Sequence, residues 1–196
     1  MSLILASGSA IRAQILRNAG IAFEVVRPSV DEDAVKLGLR AEGLKPRDQA
    51  DALAEVKALS VSQRRPGYVL GADQMLELDG DVFDKPDGRV GAVAHLRALN
   101  GRRHQLICAA VLAKDGAVIW RYVDTPRLWM RPLDDAAIDA YLDRVGLGVT
   151  ASVGAYQLEG EGIQLFERIE GDYFSILGLP LLPLLAVLRT HGLVPR

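Results

Sequence analysis

A single cysteine among 196 residues excludes an internal disulfide, and the three histidines show no zinc-ligand spacing. Cys108 sits in the apolar run 106–111, where a buried, reduced thiol is expected, as in a reducing cytosol. An excess of either charge is also missing. Lys plus Arg number 23 against 25 Asp plus Glu, a formal net of −2, so no global field draws in nucleic acid or an acidic membrane. Any anion must be gripped locally. Long hydrophobic runs are absent too: the stretch 3–6 falls far below the roughly 7–15 residues of a signal-peptide core. The most apolar window, 178–188, is broken by Pro180 and Pro183 and falls short of the roughly 20 residues of a membrane span. Aromatics are scarce, at 6%, and none is interleaved in the basic stretch 85–104, which therefore lacks a stacking platform for single-stranded nucleic acid. These absences lead us to expect a cytoplasmic chain with neither a nucleic-acid nor a membrane partner.

What is present is a mixed order of strands and helices on a chain long enough to bury roughly 70% of its unfolded surface. Residues 3–6 read as a buried strand running through Ser7-Gly8-Ser9 into a helix with Ile11, Ile15, Leu16 and Ala19 at helical spacing, capped by Ser9 and closed by Gly20. A strand at 23–27 stops at Pro28, and the polar segment 31–44 reads as mobile. An amphipathic helix is expected over 47–65. Asp79-Gly80 is the strongest hairpin signal, joining strands 69–78 and 81–84. A helix at 91–99, with His95 on its surface, precedes two long strands, 105–113 and 118–130, joined by a turn at 114–116. Asp134 caps a helix carrying Ile138, Tyr141, Leu142 and Val145, and a strand at 163–169 and a helix at 181–189 follow. Without a regular βαβ repeat, this order predicts a mixed sheet in an α/β or α+β fold.

Four groups of residues carry chemistry. In Ser7-Gly8-Ser9 with Arg12, a strand feeds a helix whose first amides are free for an anion, and Arg12 opposes the helix dipole unless a phosphate faces it. The ordinary alternative is a capping serine and a surface arginine. Asp73 lies in the apolar strand beside Gln74, where a carboxylate must be paired, metal-bound or a base. The hairpin sets Lys85 opposite Gln74, one position from Asp73, with Pro86 able to break the ladder; a structural Asp–Lys pair is the plain alternative. In Asp31-Glu32-Asp33, one or two carboxylates joined by Asp73 suit Mg²⁺, although such a triplet is also an ordinary solvated run. The glycine-dense stretch 154–162 around Glu159 lets a ligand approach the backbone.

Taken in order, Leu-Ala-Ser-Gly-Ser with Arg12, Val30-Asp31-Glu32, Ala54-x-x-Lys57-Ala58, Gly71-Ala72-Asp73-Gln74, Lys85-Pro86 and Phe166-Glu-Arg-Ile-Glu-Gly171 through Gly178-Leu-Pro180 resemble the Maf family of nucleoside triphosphate pyrophosphatases across nearly the whole chain. The resemblance implies a single α/β domain over residues 1–196, an elongated mixed sheet with two lobes flanking a cleft, related to inosine triphosphatases and usually homodimeric. It also implies hydrolysis of a nucleoside triphosphate to monophosphate and pyrophosphate with Mg²⁺ or Mn²⁺. By position, Asp73 corresponds to the proton acceptor, Arg12, Lys57 and Lys85 to phosphate-contacting cations, Ser7 and Ser9 to the phosphate cradle, and Glu32 with Asp73 to the metal ligands. Positions 11, 74 and 159 follow substrate choice in the family. Gln74 and Glu159 resemble the 7-methyl-GTP branch, whereas Ile11 departs both from that branch's aromatic and from the arginine of the dTTP/UTP branch. A carboxylate at 159 suits guanine's N1–H and amino donors and a positively charged methylated base. The expected activity limits incorporation of non-standard nucleotides. The alternatives are a dTTP/UTP pyrophosphatase and a nucleotide-binding regulator of cell division with little turnover.

Overall fold

In a computed structural model that describes residues 2–195, eight strands and seven α-helices alternate irregularly along the chain. Strand β1 (Leu3–Ala6) is buried at every residue, as a continuous apolar run in a parallel environment requires. It pairs in parallel with β2 (Phe23–Val25) on one side and with β3 (Tyr68–Leu78) on the other. Helix α1 (Ala10–Asn18) connects β1 to β2, and its Ser9 cap accepts from the Arg12 amide, matching the expected start. β2 is shorter than 23–27, ending at Val25 rather than running on to Arg27.

The segment 31–44 holds helix α2 (Glu32–Ala41) in place of the mobile stretch its polarity suggested. Asp31 caps it by accepting from the Ala34 amide, and Glu32 and Asp33 add negative charge to the first turn, where the dipole favours it. Glu32, Val35, Lys36 and Leu39 are the half-buried positions, one helical stripe. Helix α3 (Pro46–Ser62) starts with proline at its first position and buries Ala50, Leu53, Ala54, Lys57, Ala58 and Val61.

The hairpin from β3 into β4 (Asp81–Phe83) has the expected two-residue loop, with positive φ at both Asp79 and Gly80. Its pairs are Leu76–Phe83, Glu77–Val82 and Leu78–Asp81, so the ladder ends two residues before Lys85. Helix α4 (Gly88–Leu99) leads to β5 (Arg103–Lys114). The long return strand expected over 118–130 is two strands, β6 (Ala117–Asp124) and β7 (Arg127–Met130), because Pro126 interrupts it. After α5 (Asp135–Val145), with its Asp134 cap, three 3₁₀ turns precede β8 (Phe166–Glu170). Residues 163–165, expected as strand, belong to the last of these turns. A single turn, α6 (Tyr173–Ile176), and α7 (Leu181–Thr190) complete the chain. The sheet order is β2-β1-β3-β5-β7-β8, with β4 on β3 and β6 on β5, a mixed sheet as expected.

Two compact units divide the chain. The first contains residues up to Gln74, Cys108–Asp124 and the chain from Asp172 onward; the second contains Met75–Ile107 and Thr125–Gly171. The core of the first unit joins Leu3, Leu5, Leu16, Leu70, Leu112 and Leu184 with their neighbours. In the second unit His104 is buried, hydrogen-bonded through Nε2 to the Tyr156 hydroxyl at 2.9 Å and flanked by Phe166. Burial lowers the His104 pKa to about 4, so this ring is neutral core. His95 is half-buried rather than superficial, its ring edge-on to Phe83. Among the described residues, no helix is long and apolar enough to cross a membrane.

Candidate active site

The site is built where β1 ends at Ala6, opposite Gly71 within its parallel neighbour β3. Ser7 follows β1 and is nearly fully buried; its Oγ accepts from the Ser9 amide at 3.2 Å and from Arg12 Nη1 at 3.3 Å. Two of the amides expected to be open to an anion, those of Ser9 and Arg12, are thus already engaged by serine oxygens. A hydroxyl carries two accepting lone pairs and one hydrogen. Both accepting sites of Ser7 are occupied, while its O–H has no acceptor among the described residues.

Arg12 is only 9% exposed although it stands in a first helical turn, where a cation is unfavourable. Its compensation comes from carbonyl oxygens: Nε donates to Gly178 O at 2.8 Å and Nη1 to Ala72 O at 2.9 Å. The surface-arginine alternative is therefore wrong for Arg12. Three of its five N–H groups lock it to Ser7, β3 and the loop after α6, and Nη2 has no partner among the described residues.

Asp73 is also buried, and its counter-ion is the equally buried Lys57, with Nζ 2.7 Å from Oδ1. The hairpin partner Lys85 is not that counter-ion: it is exposed beyond the end of the β3–β4 ladder. Gly71 permits the Lys57–Asp73 approach. A methyl group there would overlap the Ala54 carbonyl and stand 2.6 Å from Ala58 N, so only glycine lets α3 press onto β3 at this level. Lys57 Nζ reaches a second carboxylate, Glu32 Oε2, also at 2.7 Å. The acidic triplet separates by role: Asp31 caps α2, Asp33 is exposed, and Glu32 alone meets Lys57.

Asp73 Oδ2 has no partner among the described residues. Two carboxylates, each 2.7 Å from one ammonium, lie at most twice that distance apart. That donor set fits a hard divalent cation completing its shell with phosphate oxygens and water. No group of three or more His, Cys, Asp or Glu side chains is placed to hold a metal among the described residues.

Gln74, next on β3, is held by α6. Its Nε2 donates to Ser175 O at 3.0 Å and to Ile176 O at 2.8 Å. Residues 72, 73 and 74 thus engage Arg12, Lys57 and α6 in succession. A family model described as Maf-like protein matches residues 2–191. The chain belongs to the Maf family.

Among curated members of the Maf family, the chain is 56% identical over 188 residues to a protein of Caulobacter vibrioides named nucleoside triphosphate pyrophosphatase, covering 96% of this chain and 94% of that one. It is likewise 56% identical over 193 residues to a protein of Mesorhizobium japonicum named 7-methyl-GTP pyrophosphatase, covering 98% and 97%. A Rhizobium meliloti protein with that second name is 51% identical over 193 residues, at 98% and 97% coverage.

In this Maf chain the structure brings Ser7, Ser9 and Arg12 together, and likewise Lys57, Asp73 and Glu32. Ile11 is half-buried and packs against the core of the first unit. Lys85 and Glu159 belong to the second unit, both exposed, Glu159 within a loop between 3₁₀ turns. The basic stretch that begins at Lys85 is compensated within the second unit: Arg89 pairs with Asp139 and Asp143, Arg97 with Asp135, and Arg102 with Asp79. Cys108 is fully buried and its pKa is pushed up to about 12 by burial, which leaves it an inert thiol.

Sequence reading missed the part played by α6 and the loop that follows it. The carbonyls of Ser175, Ile176 and Gly178 fix Gln74 and Arg12, yet a backbone carbonyl carries no side-chain signature. The available signal was Gly178 before Leu179-Pro180, a glycine whose φ of +103° only glycine adopts readily.

Proposed function

We propose that this Maf-family chain hydrolyses nucleoside triphosphates to the monophosphate and pyrophosphate. The observation that carries the reading is the buried Lys57 ammonium held between Asp73 and Glu32, on the same stretch of β3 whose Ala72 carbonyl anchors Arg12. A buried lysine between two carboxylates, with Asp73 Oδ2 still unpartnered, is not explained by stability alone and suits a polyanionic ligand that arrives with a divalent cation. The names of the Caulobacter and Mesorhizobium relatives, both at 56% identity, support the same reaction class.

Asp73 Oδ2 takes the proton of the water that attacks the α-phosphorus. The Ser7 O–H and Arg12 Nη2 donate to phosphate oxygens, and Lys57 offsets negative charge that builds on the leaving pyrophosphate. Glu32 and Asp73 would hold Mg²⁺ or Mn²⁺, which when bound neutralises polyphosphate charge and polarises the phosphoryl oxygens. Lys85 adds a further phosphate-contacting cation by its correspondence to the family pattern.

For the base we propose a guanine-type nucleotide such as 7-methyl-GTP, since Gln74 and Glu159 correspond to that branch and Glu159 is an exposed carboxylate able to accept from guanine's donors. The test is pyrophosphate release from 7-methyl-GTP, GTP, dTTP, UTP and CTP with Mg²⁺. The expected order places the guanine nucleotides first. Release favouring dTTP and UTP overturns the base assignment, and release from none of them overturns the reaction.

A further inference from the structure

Gln74 is one of three positions that follow substrate choice in the resemblance, but its identity does not say what it offers a ligand, since a side-chain amide both donates and accepts. The structure settles which. Two main-chain carbonyls, Ser175 O at 3.0 Å and Ile176 O at 2.8 Å, face one end of the Gln74 amide. Carbonyl oxygens accept only, so the NH₂ end must face them, and both amide hydrogens are engaged there. The opposite end, Oε1, accepts from no group among the described residues and lies 3.6 Å from where a side chain on Gly178 would begin. Arg12 Nη2 lies 3.7 Å from that same point. With glycine at 178, no side chain packs against these two atoms from that point.

The element holding Gln74 is a single helical turn, too short to be stable by itself. Two features secure it. Ser175, Ile176 and Leu179 are buried, and the Asp172 side chain caps the turn, with Oδ2 accepting from the Ser175 amide at 2.7 Å. Asp172 thereby fixes the peptide units whose carbonyls orient Gln74, and the Gly178 carbonyl two residues past the turn receives Arg12 Nε.

We infer that Asp172 is a positioning residue for specificity: through α6 it holds the Gln74 amide with its acceptor oxygen free, so that this position favours guanine's edge, with its adjacent N1–H and amino donors, over uracil's single N–H. The inference rests on the proposed triphosphate pyrophosphatase activity and adds to it the polarity of one recognition contact and the residue that enforces it.

The experiment compares kcat/KM for 7-methyl-GTP, GTP, CTP and UTP in the full chain and in Asp172→Ala, Asp172→Ser and Gln74→Met. Asp172→Ala frees the Gln74 amide to turn, so the ratio between the best and worst substrates shrinks tenfold or more. Asp172→Ser keeps a capping oxygen and restores most of the ratio. Gln74→Met, which removes the acceptor but keeps the length, shrinks the ratio like Asp172→Ala. An Asp172→Ala chain that loses activity equally toward all four substrates, with the ratio intact, has only a structural role at this position and overturns the inference. Should Asp172→Ala fail to fold, hydrogen exchange of the Gln74 side-chain amide decides. Slow exchange in the unmodified chain that Asp172→Ser, with its capping oxygen, preserves supports the lock, and fast exchange in either chain overturns it. No turnover of any triphosphate by the unmodified chain defeats the proposed function itself, and this inference with it, whereas turnover with an unmoved ratio defeats the inference alone.

Discussion

Replacing Lys57 by Met tests the centre of the site through stability rather than turnover. The methionine keeps most of the buried stem but removes the ammonium that stands 2.7 Å from both Asp73 Oδ1 and Glu32 Oε2. Asp73, whose side chain is 9% exposed, is then left as a buried carboxylate beside a second one. Breaking a buried ion pair by removing one partner costs about 3–5 kcal/mol. Glu32 is 44% exposed and can turn toward water, which places the expected loss near the lower end, about 3 kcal/mol. For a chain of this size that lowers the melting midpoint by about 6–12 °C. The two carboxylates also become a cation site without a competing ammonium. At a magnesium concentration ten times its dissociation constant, binding to the folded state alone returns about 1.4 kcal/mol. We therefore expect the Lys57→Met midpoint to climb by about 3–5 °C on adding Mg²⁺, with a smaller change in the unmodified chain. Thermal or urea unfolding with and without Mg²⁺ reads both quantities. A Lys57→Met chain as stable as the original, or one unmoved by Mg²⁺, refutes the reasoning.

Three other outcomes follow from buried groups. Gly71→Ala forces α3 away from β3, so urea unfolding should show a loss of at least about 1–3 kcal/mol, accompanied by falling turnover as Lys57 is displaced from Asp73. His104, with its pKa depressed from 6.5 to about 4 by burial, binds its proton less readily folded than unfolded, so its contribution is complete above pH 6.5 and is lost as pH falls toward 4. That loss is on the order of 3 kcal/mol, and His104→Gln, which keeps a hydrogen-bonding group toward Tyr156, should flatten the stability–pH slope across that window. Cys108 should resist a thiol reagent in native buffer and titrate fully in denaturant; rapid native labelling contradicts its burial.

Local chemistry was the legible part of this sequence. Ser9 as a cap, Asp79-Gly80 as a two-residue loop with its register, and Asp134 before α5 all depend on neighbours a few residues apart, and the structure has each of them. The helix α2 was obscured because Gly38 lies inside it and none of its residues is fully buried, so its apolar signal reduces to Val35 and Leu39 on one stripe. The break between β6 and β7 had its signal in Pro126, outweighed by the strand-forming residues on either side. For the site, the residue types were legible but their partners were not. Asp73 demanded a cation, and the hairpin pointed to Lys85; the cation is Lys57, brought from α3 by the close packing over Gly71. Arg12 demanded compensation, and the carbonyls that supply it lie 60 and 166 residues away in sequence. Such contacts depend on tertiary packing, which no local pattern encodes.

The central claim is that a water deprotonated at Asp73 attacks the α-phosphorus and expels pyrophosphate. Hydrolysis of 7-methyl-GTP or GTP in ¹⁸O-labelled water, with the products resolved by mass spectrometry, tests it directly. The account predicts one ¹⁸O atom in the nucleoside monophosphate, unlabelled pyrophosphate, and loss of this reaction in Asp73→Asn. Label in the pyrophosphate, release of orthophosphate with a nucleoside diphosphate, or undiminished turnover by Asp73→Asn would contradict it.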